Sequence, residues 1–294
     1  MRVLLTGSTG RLGGAFFSLW GAADSPYDVI NLTRADADLA DAAALRAVLE
    51  QIWNRSPFDA IVNPAALSGL EQCLDFPEQA QQVNVDSPKV MAEFCQEKGI
   101  RMVHFSTDYV FGGQQEGRLC EGDVTDPVNV YGKSKRAGEL AVLAASPDSL
   151  VCRVSWLFGP ATAKSHFDHV LDRALSGDEQ NLISDKFSIP TFTHDIVEWV
   201  ELLLGNKKSG IYHLCNSGDP ESWYSYAETV CRLAREQGHP LPEVRLIPSL
   251  IKDADFFREP RPVHTAMLPQ RLHDEGLVTP RHWMEAAHVY LKIR

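Results

Sequence analysis

A tyrosine and a lysine stand four residues apart in the segment Tyr131-Gly132-Lys133-Ser134-Lys135, which opens a helical pattern. On a helix this spacing places both side chains on one face, one turn apart. A phenol with a pKa of about 10 exchanges protons poorly at neutral pH, and a nearby ammonium group would lower that pKa. Thr107 stands where a preceding strand is predicted to end. Thr107, Tyr131 and Lys135 therefore predict a catalytic site that polarises and protonates a substrate oxygen.

A glycine-rich loop lies near the start of the chain, between a short apolar strand and a helical pattern. Its glycines would let the backbone turn tightly and approach a pyrophosphate, which then meets the N-terminus of the following helix. A glycine triplet alone also serves ordinary turns, but this position favours a dinucleotide site, where Lys135 would also hold the nicotinamide ribose. The residues of the loop that we expect to bind the cofactor are Gly7, Thr9, Gly10, Arg11, Leu12 and Gly13.

The second predicted strand determines which dinucleotide fits. It is followed by Arg34, without the acidic residue that would bind the 2′-hydroxyl of NAD. Arg34 and Arg11 would instead pair with a 2′-phosphate, which favours NADP(H), unless both arginines are simply solvated. Asp36 and Asp38 lie close by and leave NAD(H) open. Asp38 and Leu39 are placed to flank the adenine.

Short apolar segments alternate with amphipathic ones along the first two thirds of the chain. Continuous apolar strands separated by helices predict an α/β fold with a parallel sheet covered on both faces, a Rossmann-type doubly wound sheet. The predicted strands are Arg2–Thr6, Val29–Leu32, Ala60–Asn63, Met102–Ser106, Leu150–Val154 and Gly210–Leu214. The predicted helices between them include Ala42–Asn54, Pro88–Lys98 and Tyr131–Ala145.

The chain changes character after about Phe158, where it becomes richer in proline, loops and tryptophan. We predict an NADP-binding Rossmann domain from residues 1–158 and 195–215. Residues 159–194 and 216–294 would then form a smaller, discontinuous α/β cap that binds the substrate over the carboxyl ends of the strands.

Composition narrows the classes of partner. With 28 basic and 39 acidic residues the formal charge is −11, which disfavours general binding to nucleic acid or to anionic membranes. No apolar run is long enough for a membrane span or a signal peptide, and the six scattered cysteines indicate reduced thiols in a cytoplasmic protein. His166 and His169 have a spacing that suits a metal, but no third ligand is evident and we predict no metal site.

Together these motifs resemble the extended short-chain dehydrogenase/reductases, and within them the dTDP-4-dehydrorhamnose reductases. The resemblance runs nearly from end to end. The segments that carry it are Thr6-Gly7, Val62-Asn63-Pro64-Ala65-Ala66, Val83-Asn84, Ser106-Thr107-Asp108-Tyr109-Val110-Phe111, Tyr131-Gly132-Lys133-Ser134-Lys135 with Gly138-Glu139, Arg153-Val154-Ser155-Trp156, Ile189-Pro190-Thr191, Arg261-Pro262, and Gly276-Leu277 leading to Trp283.

The resemblance implies NADPH-dependent reduction of the C4 ketone of a nucleotide-linked 4-keto-6-deoxy sugar, with Tyr131 as proton donor. It also implies that Ala65 and Ala66 line the cofactor and that Asn84 supports the active site. The residues expected to contact the substrate are Thr107, Asp108, Trp156, Pro190 and Thr191.

Departures from the family pattern fall in the loops that would face the substrate. Leu67-Ser68 replaces a Tyr-Thr pair, and Lys186 replaces a glutamine, where it would meet a diphosphate or be solvated. Trp223 and its neighbours would pack the cap or stack on a nucleotide base. These changes leave the exact sugar open.

Two other functions fit the same resemblance. The first is a nucleotide-sugar epimerase or 4,6-dehydratase, although Thr107-Asp108-Tyr109 lacks the glutamate that dehydratases of this superfamily place after the aspartate. The second is a non-catalytic NADP-binding regulatory subunit similar to the methionine adenosyltransferase beta subunit. A homodimer is also compatible with the sequence.

Overall fold

Six parallel strands form the central sheet of the computed structural model, which describes residues 1–294. In chain order, the strands of the whole molecule are β1 Arg2–Thr6, β2 Asp28–Leu32, β3 Ala60–Asn63, β4 Arg101–Thr107, β5 Leu150–Val154, β6 Leu157–Phe158, β7 Gln180–Ile183, β8 Phe187–Ser188, β9 Thr191–Phe192, β10 Gly210–His213, β11 Glu221–Ser222 and β12 Leu246–Ser249. The central sheet has the spatial order β10-β5-β4-β3-β1-β2. The predicted α/β fold with a doubly wound parallel sheet is confirmed.

The sheet order reverses between β1 and β3, since the chain first builds outward to β2 and then returns to the other side of β1. In doubly wound sheets, ligands bind outside the carboxyl ends of the strands at such a switch point. The glycine loop follows β1 and Ala65-Ala66 follows β3. Topology alone therefore brings these two segments together.

Helices cover both faces of the sheet and build the rest of the molecule. In chain order they are α1 Arg11–Trp20, α2 Ala42–Arg55, α3 Leu70–Asp75, α4 Pro77–Gln81, α5 Ser87–Lys98, α6 Val130–Ala145, α7 His166–Ser176, α8 Thr193–Gly205, α9 Trp223–Glu236, α10 Gln270–Asp274 and α11 Trp283–Ile293. A π-helical turn spans Gln82–Asp86, and 3₁₀ turns span Asp108–Val110 and Ile251–Asp253. None of the helices has the length and apolar content required to span a bilayer.

The apolar strands bury both of their faces, as a parallel sheet between two helical layers requires. Side chains such as Val3 and Leu5 pack with Trp20 of α1 on one face. Leu4 packs with Phe94 of α5 on the other. Both faces of the sheet are therefore closed to a ligand.

A separate apolar core lies beyond that edge and joins α7, α9 and α11. It contains Phe167, Tyr226, Trp283 and Tyr290, together with Phe158 at the end of the short strand β6. The capping boxes of α7 at Ser165 and of α9 at Ser222 set where these two helices begin.

One segment within the predicted cap range 216–294 packs on the sheet instead. Leu272 of α10 is fully buried in the core of the sheet, and the Arg271 guanidinium lies 3.9 Å from the centroid of the Tyr212 ring on β10. An apolar side chain and a cation–π contact therefore return this stretch of the chain to the edge of the sheet.

Candidate active site

A cavity of about 830 Å³ lies at the carboxyl edge of the sheet, over the switch point. It is lined by the loop after β1, the end of β2, the loop after β3 and the start of α6. Every residue that the sequence predicts for the cofactor is among its lining, namely Gly7, Thr9, Gly10, Arg11, Leu12, Gly13, Arg34, Asp38, Leu39, Ala65, Ala66, Tyr131 and Lys135.

Two glycines make the floor of this cavity flat enough for a phosphate. Gly7 has a φ of +60°, and a Cβ there would lie 2.9 Å from the backbone of Ala65. A Cβ on Gly13 would lie 2.1 Å from the Gly7 carbonyl oxygen. Gly10 caps α1 without a side-chain hydrogen bond, so the first N–H groups of this helix are left for a ligand. These features fit a dinucleotide pyrophosphate.

The end of β2 presents a free cation and two engaged acids. Arg34 lines the cavity, is exposed and makes no ion pair within the chain. Asp36 accepts hydrogen bonds from the backbone N–H and hydroxyl of Thr33, at 2.8 and 2.7 Å, and does not line the cavity. Asp38 lines it but accepts a bond of 2.9 Å from the Ala40 N–H. This arrangement suits a phosphate better than a ribose hydroxyl.

Arg11 lines the cavity, but its guanidinium group is already bonded within the chain. Its guanidinium donates to the carbonyl oxygens of Gly159 and Ala163, at 3.0 and 2.5 Å, and lies 3.9 Å from Asp168. These partners belong to the cap side of the molecule. The cation therefore ties α1 to the cap, and a 2′-phosphate would depend on Arg34.

The start of α6 positions the tyrosine and the lysine. Asn129 caps the helix by accepting a 2.7 Å bond from the Gly132 N–H, and Glu259 accepts a 2.8 Å bond from the Val130 N–H. Lys135 is 2% exposed, and burial lowers its pKa to about 8. The helix therefore holds Tyr131 and Lys135 on the wall of the cavity, as their spacing predicts.

The pKa of the Tyr131 phenol shifts in the direction opposite to our expectation. Burial raises it, and an interaction with the Thr107 hydroxyl acts in the other direction. Loss of water around a phenolate outweighs its favourable neighbours in this position. Tyr131, which an ordinary phenol pKa would already keep protonated at neutral pH, therefore forms its phenolate less readily here than in water.

Thr107 and Asp108 lie in a buried cluster beside Tyr131, in which the Asp108 carboxylate accepts hydrogen bonds from three hydroxyl groups. The Thr107 hydroxyl donates to Asp108 Oδ1 at 3.1 Å, and Asp108 Oδ2 accepts from Ser188 at 3.1 Å and from Thr265 at 2.6 Å. Burial raises the pKa of Asp108, while the positive charge of Lys186 opposes that shift. Because both carboxylate oxygens are occupied from within the chain, Asp108 is placed to orient Thr107.

Trp156 follows β5 with a φ of +40°, a conformation that is costly for a residue with a side chain. Its carbonyl oxygen accepts a 3.1 Å bond from the Thr191 N–H, and its ring lies 6.5 Å from the ring of Trp223. Pro190 and Thr191 are buried, and the Thr191 hydroxyl donates to the Ile189 carbonyl oxygen. The Thr191 N–H therefore helps to hold Trp156, and the Thr191 hydroxyl is bonded within the chain.

Lys186 is neither solvated nor paired. It has no exposed surface, and its Nζ atom has no hydrogen-bond partner. The ammonium group lies 5.0 Å from the centroid of the Tyr109 ring and 5.8 Å from that of Trp156. Burial lowers its pKa to about 8, although the charge of Asp108 acts against that shift. The solvated alternative is wrong, because the side chain is fully buried.

Several neighbours of the site were not recognised in the sequence. The ring of Tyr109 lies edge-to-face with Tyr131, with centroids 6.1 Å apart, and Thr265 reaches Asp108 from 157 residues away. A bond across that separation leaves no local pattern. Asn129 could have been found, because an asparagine directly before a helical pattern is a standard N-cap signal.

The two histidines whose spacing would suit a metal differ in their surroundings. The ring of His166 packs 5.3 Å from that of Trp223 and 5.6 Å from that of Tyr226, whereas His169 is exposed. No group of three potential metal-ligating side chains occurs in the chain. Trp223 is thus part of an aromatic cluster that packs the cap beside Trp156.

Known proteins similar to this chain place it in a family. The family model described as the RmlD substrate binding domain matches residues 1–293. The spore coat polysaccharide biosynthesis protein SpsK of Bacillus subtilis is 33% identical over 100% of this chain and 98% of its own. The dTDP-4-keto-6-deoxy-D-glucose reductase of Streptomyces niveus is 32% identical over 97% of this chain and 94% of its own.

A solved structure gives the same answer for the fold. The dTDP-4-dehydrorhamnose reductase of Bacillus anthracis, in complex with NADP, superposes with a TM-score of 0.90 at 23% identity, covering 100% of this chain and 99% of the other. The family model and the relatives above 30% identity extend the likeness beyond fold. The chain belongs to the dTDP-4-dehydrorhamnose reductase family of extended short-chain dehydrogenase/reductases, and it is an oxidoreductase.

Proposed function

We propose that this protein reduces the C4 ketone of a nucleotide-linked 4-keto-6-deoxy sugar with NADPH, with Tyr131 as the proton donor. The observation that carries the proposal is that Tyr131 and Lys135 line the same cavity as the glycine loop. A proton donor and a dinucleotide cradle in one cavity are what carbonyl reduction requires. Two relatives are named as reductases of 4-keto-6-deoxy sugars attached to dTDP, and these names support this class of substrate.

NADPH, when bound, supplies the hydride. The backbone around Gly7 and Gly13 would hold its pyrophosphate, and Arg34 its 2′-phosphate. The choice of NADPH over NADH rests on Arg34 being free while Asp36 is engaged by Thr33. Lys135 would hold the nicotinamide ribose.

The side chains of the site divide the proton transfer between them. Tyr131 carries a proton at neutral pH, since the ordinary pKa of a phenol is already about 10 and burial raises it further, so it can donate this proton to the oxygen that develops negative charge. The Lys135 ammonium then stabilises the phenolate that remains. Because the cavity wall around both side chains is largely shielded from water, this electrostatic stabilisation is stronger than it would be in solvent.

Thr107 provides a second hydrogen bond to the substrate oxygen. Its single proton points to Asp108 in the structure, and a rotation of the hydroxyl would turn that proton to the ketone. Asp108 keeps the bonds from Ser188 and Thr265 during this change. The cost of the rotation is therefore limited to one of three hydrogen bonds on the carboxylate.

The test is NADPH oxidation with a dTDP-4-keto-6-deoxy sugar, in wild type and in Tyr131→Phe. We expect turnover in the wild type and a loss of about 100-fold or more in the variant, since general acid catalysis contributes at least that much. Tyr27→Phe is the matched control, because Tyr27 packs on Trp20, away from the cavity. Tight NADPH binding without oxidation in the wild type would contradict the proposal and favour a regulatory subunit.

The sites of the six cysteines bear on where the enzyme works. All are free thiols, and five of them are buried. This supports the cytoplasmic location expected from the sequence, because reduced thiols persist in reducing compartments.

A further inference from the structure

A fully buried histidine lies beneath the catalytic pair. His104 of β4 has no exposed surface, and its Nε2 atom lies 3.4 Å from Lys135 Nζ. It is the one hydrogen-bonding partner of that ammonium in the structure. The mechanism described above does not use it.

The other ring nitrogen leads to the cofactor loop. Nδ1 of His104 lies 3.3 Å from the side-chain amide of Asn63, which bonds the Thr6 hydroxyl at 2.5 Å. That hydroxyl in turn accepts from the Ala65 N–H at 3.4 Å, next to the close approach of Gly7. A buried chain of polar groups thus joins the carboxyl ends of β1 and β3 to Lys135.

The environment determines the charge of the ring. Burial, together with the charge of Lys135, holds the pKa of His104 well below its usual value, so the imidazole is neutral. A neutral imidazole has one acceptor nitrogen, and an ammonium group has only donors. Nε2 must therefore accept from Lys135 and Nδ1 must carry the proton. A half-turn of the Asn63 amide presents its oxygen to that proton and turns its NH2 group to the Thr6 hydroxyl oxygen, which then accepts in that contact instead of donating.

We propose that His104 is a positioning residue: it holds the Lys135 ammonium in place and keeps it charged, and it is itself anchored to the cofactor loop through Asn63 and Thr6. The inference rests on the proposed function for its catalytic meaning, since Lys135 must be charged to act on Tyr131. Its physical content, a hydrogen bond that favours the charged form of a buried lysine, stands without turnover.

The other titratable groups around Lys135 do not replace this bond. Glu139 of α6 favours its charged form, but both oxygens of that carboxylate are held by Arg153, at 2.8 and 2.9 Å, and one of them also by Arg136. The Cys73 thiol of α3 has a pKa raised to about 11 by burial and is neutral. Tyr131 is neutral as well, because burial raises its pKa.

The experiment measures the titration of Lys135 directly, by NMR of protein carrying ¹³C,¹⁵N-labelled lysine, with Lys135→Met to assign the signal. In His104→Leu the acceptor is lost, and the Lys135 pKa should fall by about one unit, the worth of one hydrogen bond to a charged group. His104→Gln keeps an acceptor and should titrate within about 0.3 units of wild type. His104→Asn, too short to reach, should behave like His104→Leu.

His213→Leu is the control for burial. His213 is equally buried in the adjacent part of the sheet but contacts Arg153 and the Leu268 carbonyl oxygen, and Arg153 holds Glu139, so its loss reaches Lys135 only indirectly and should shift the Lys135 pKa much less than the loss of His104 does. The alkaline limb of the pH profile of NADPH oxidation should move with the NMR pKa. Unchanged titration in His104→Leu and His104→Asn, or an equal shift in His213→Leu, would overturn the inference. Absence of turnover with the expected NMR shifts would overturn only the proposed function.

Discussion

Two lysines of this protein are buried to the same extent in two different regions. Lys135 lies on the cofactor side, at the start of α6, and Lys186 lies on the cap side, before β8. Burial lowers the pKa of each to about 8. Lys135 has a hydrogen-bond partner in His104, whereas Lys186 has none and lies over the rings of Tyr109 and Trp156. Both ammonium groups lose their water to the same extent. On the cofactor side a hydrogen bond to His104 offsets this loss, and on the cap side the faces of two aromatic rings do so.

The difference reflects how each region is built. The cofactor side is made by strand ends and a helix start of one sheet, so its polar groups meet at fixed positions and can be bonded one to one. The cap side is assembled from segments far apart in the chain, such as Thr265 reaching Asp108. There the cation is held by ring faces and by a carboxylate, which tolerate small displacements better than hydrogen bonds do.

The largest effect should come from removing Lys135, the cation that is held by a hydrogen bond. We expect Lys135→Met to lower kcat by roughly 100-fold or more, because Tyr131 then loses the charge that stabilises its phenolate. Lys133→Met, an exposed lysine on the same turn, should retain wild-type rates within about 2-fold. Steady-state NADPH oxidation measures both. Equal losses in the two variants would mean that the helix, and not the ammonium group at Lys135, had been damaged.

The same contrast explains what the sequence could predict. The strands β1, β3 and β5 have the bounds predicted for them, since a continuous apolar run has few alternatives to a buried strand. Every predicted cofactor residue lines one cavity because each lies at a strand end or a helix start near the switch point. Local sequence motifs are therefore sufficient to predict the cofactor side of the site.

The cap side could not be predicted in the same way. The burial of Lys186, the ties of Asp108 to Ser188 and Thr265, and the use of Arg11 to hold the cap all depend on contacts across long separations. Nothing in their neighbouring residues indicates those partners. The pKa of Tyr131 was misjudged for a related reason, because the spacing to Lys135 is visible in the sequence and the degree of burial is not.

The second test concerns the lysine on the cap side and measures how its burial changes the dependence of stability on pH. Lys186 has an ordinary pKa of 10.5 when unfolded and about 8 when folded, so the unfolded chain binds more protons between these values and stability must rise with pH there. Lys186→Met removes this rise. Between pH 8 and 10 the stability difference, wild type minus variant, should increase by about 2 kcal/mol. Denaturant unfolding at several pH values measures it.

The control for this test is again Lys133→Met, because this side chain is exposed whereas Lys186 is fully buried. Groups common to wild type and variant, Lys135 included, cancel in the difference. Parallel stability curves for wild type and Lys186→Met would show that ring faces and Asp108 compensate the buried charge fully, and the two lysines would then be equivalent.

The smallest effect should come from Arg34, an exposed cation. It differs from Lys135, which is buried with a hydrogen-bond partner, and from Lys186, which is buried without one. If it meets the 2′-phosphate, Arg34→Ala should weaken NADPH binding by roughly 10-fold, the value of a partly exposed charge-assisted hydrogen bond, and leave NADH binding within about 2-fold. Fluorescence titration of both dinucleotides measures the ratio. Arg11→Ala should weaken both equally, since its guanidinium holds the cap carbonyls of Gly159 and Ala163. A selective loss of NADPH in Arg11→Ala, with none in Arg34→Ala, would reverse the roles assigned to the two arginines.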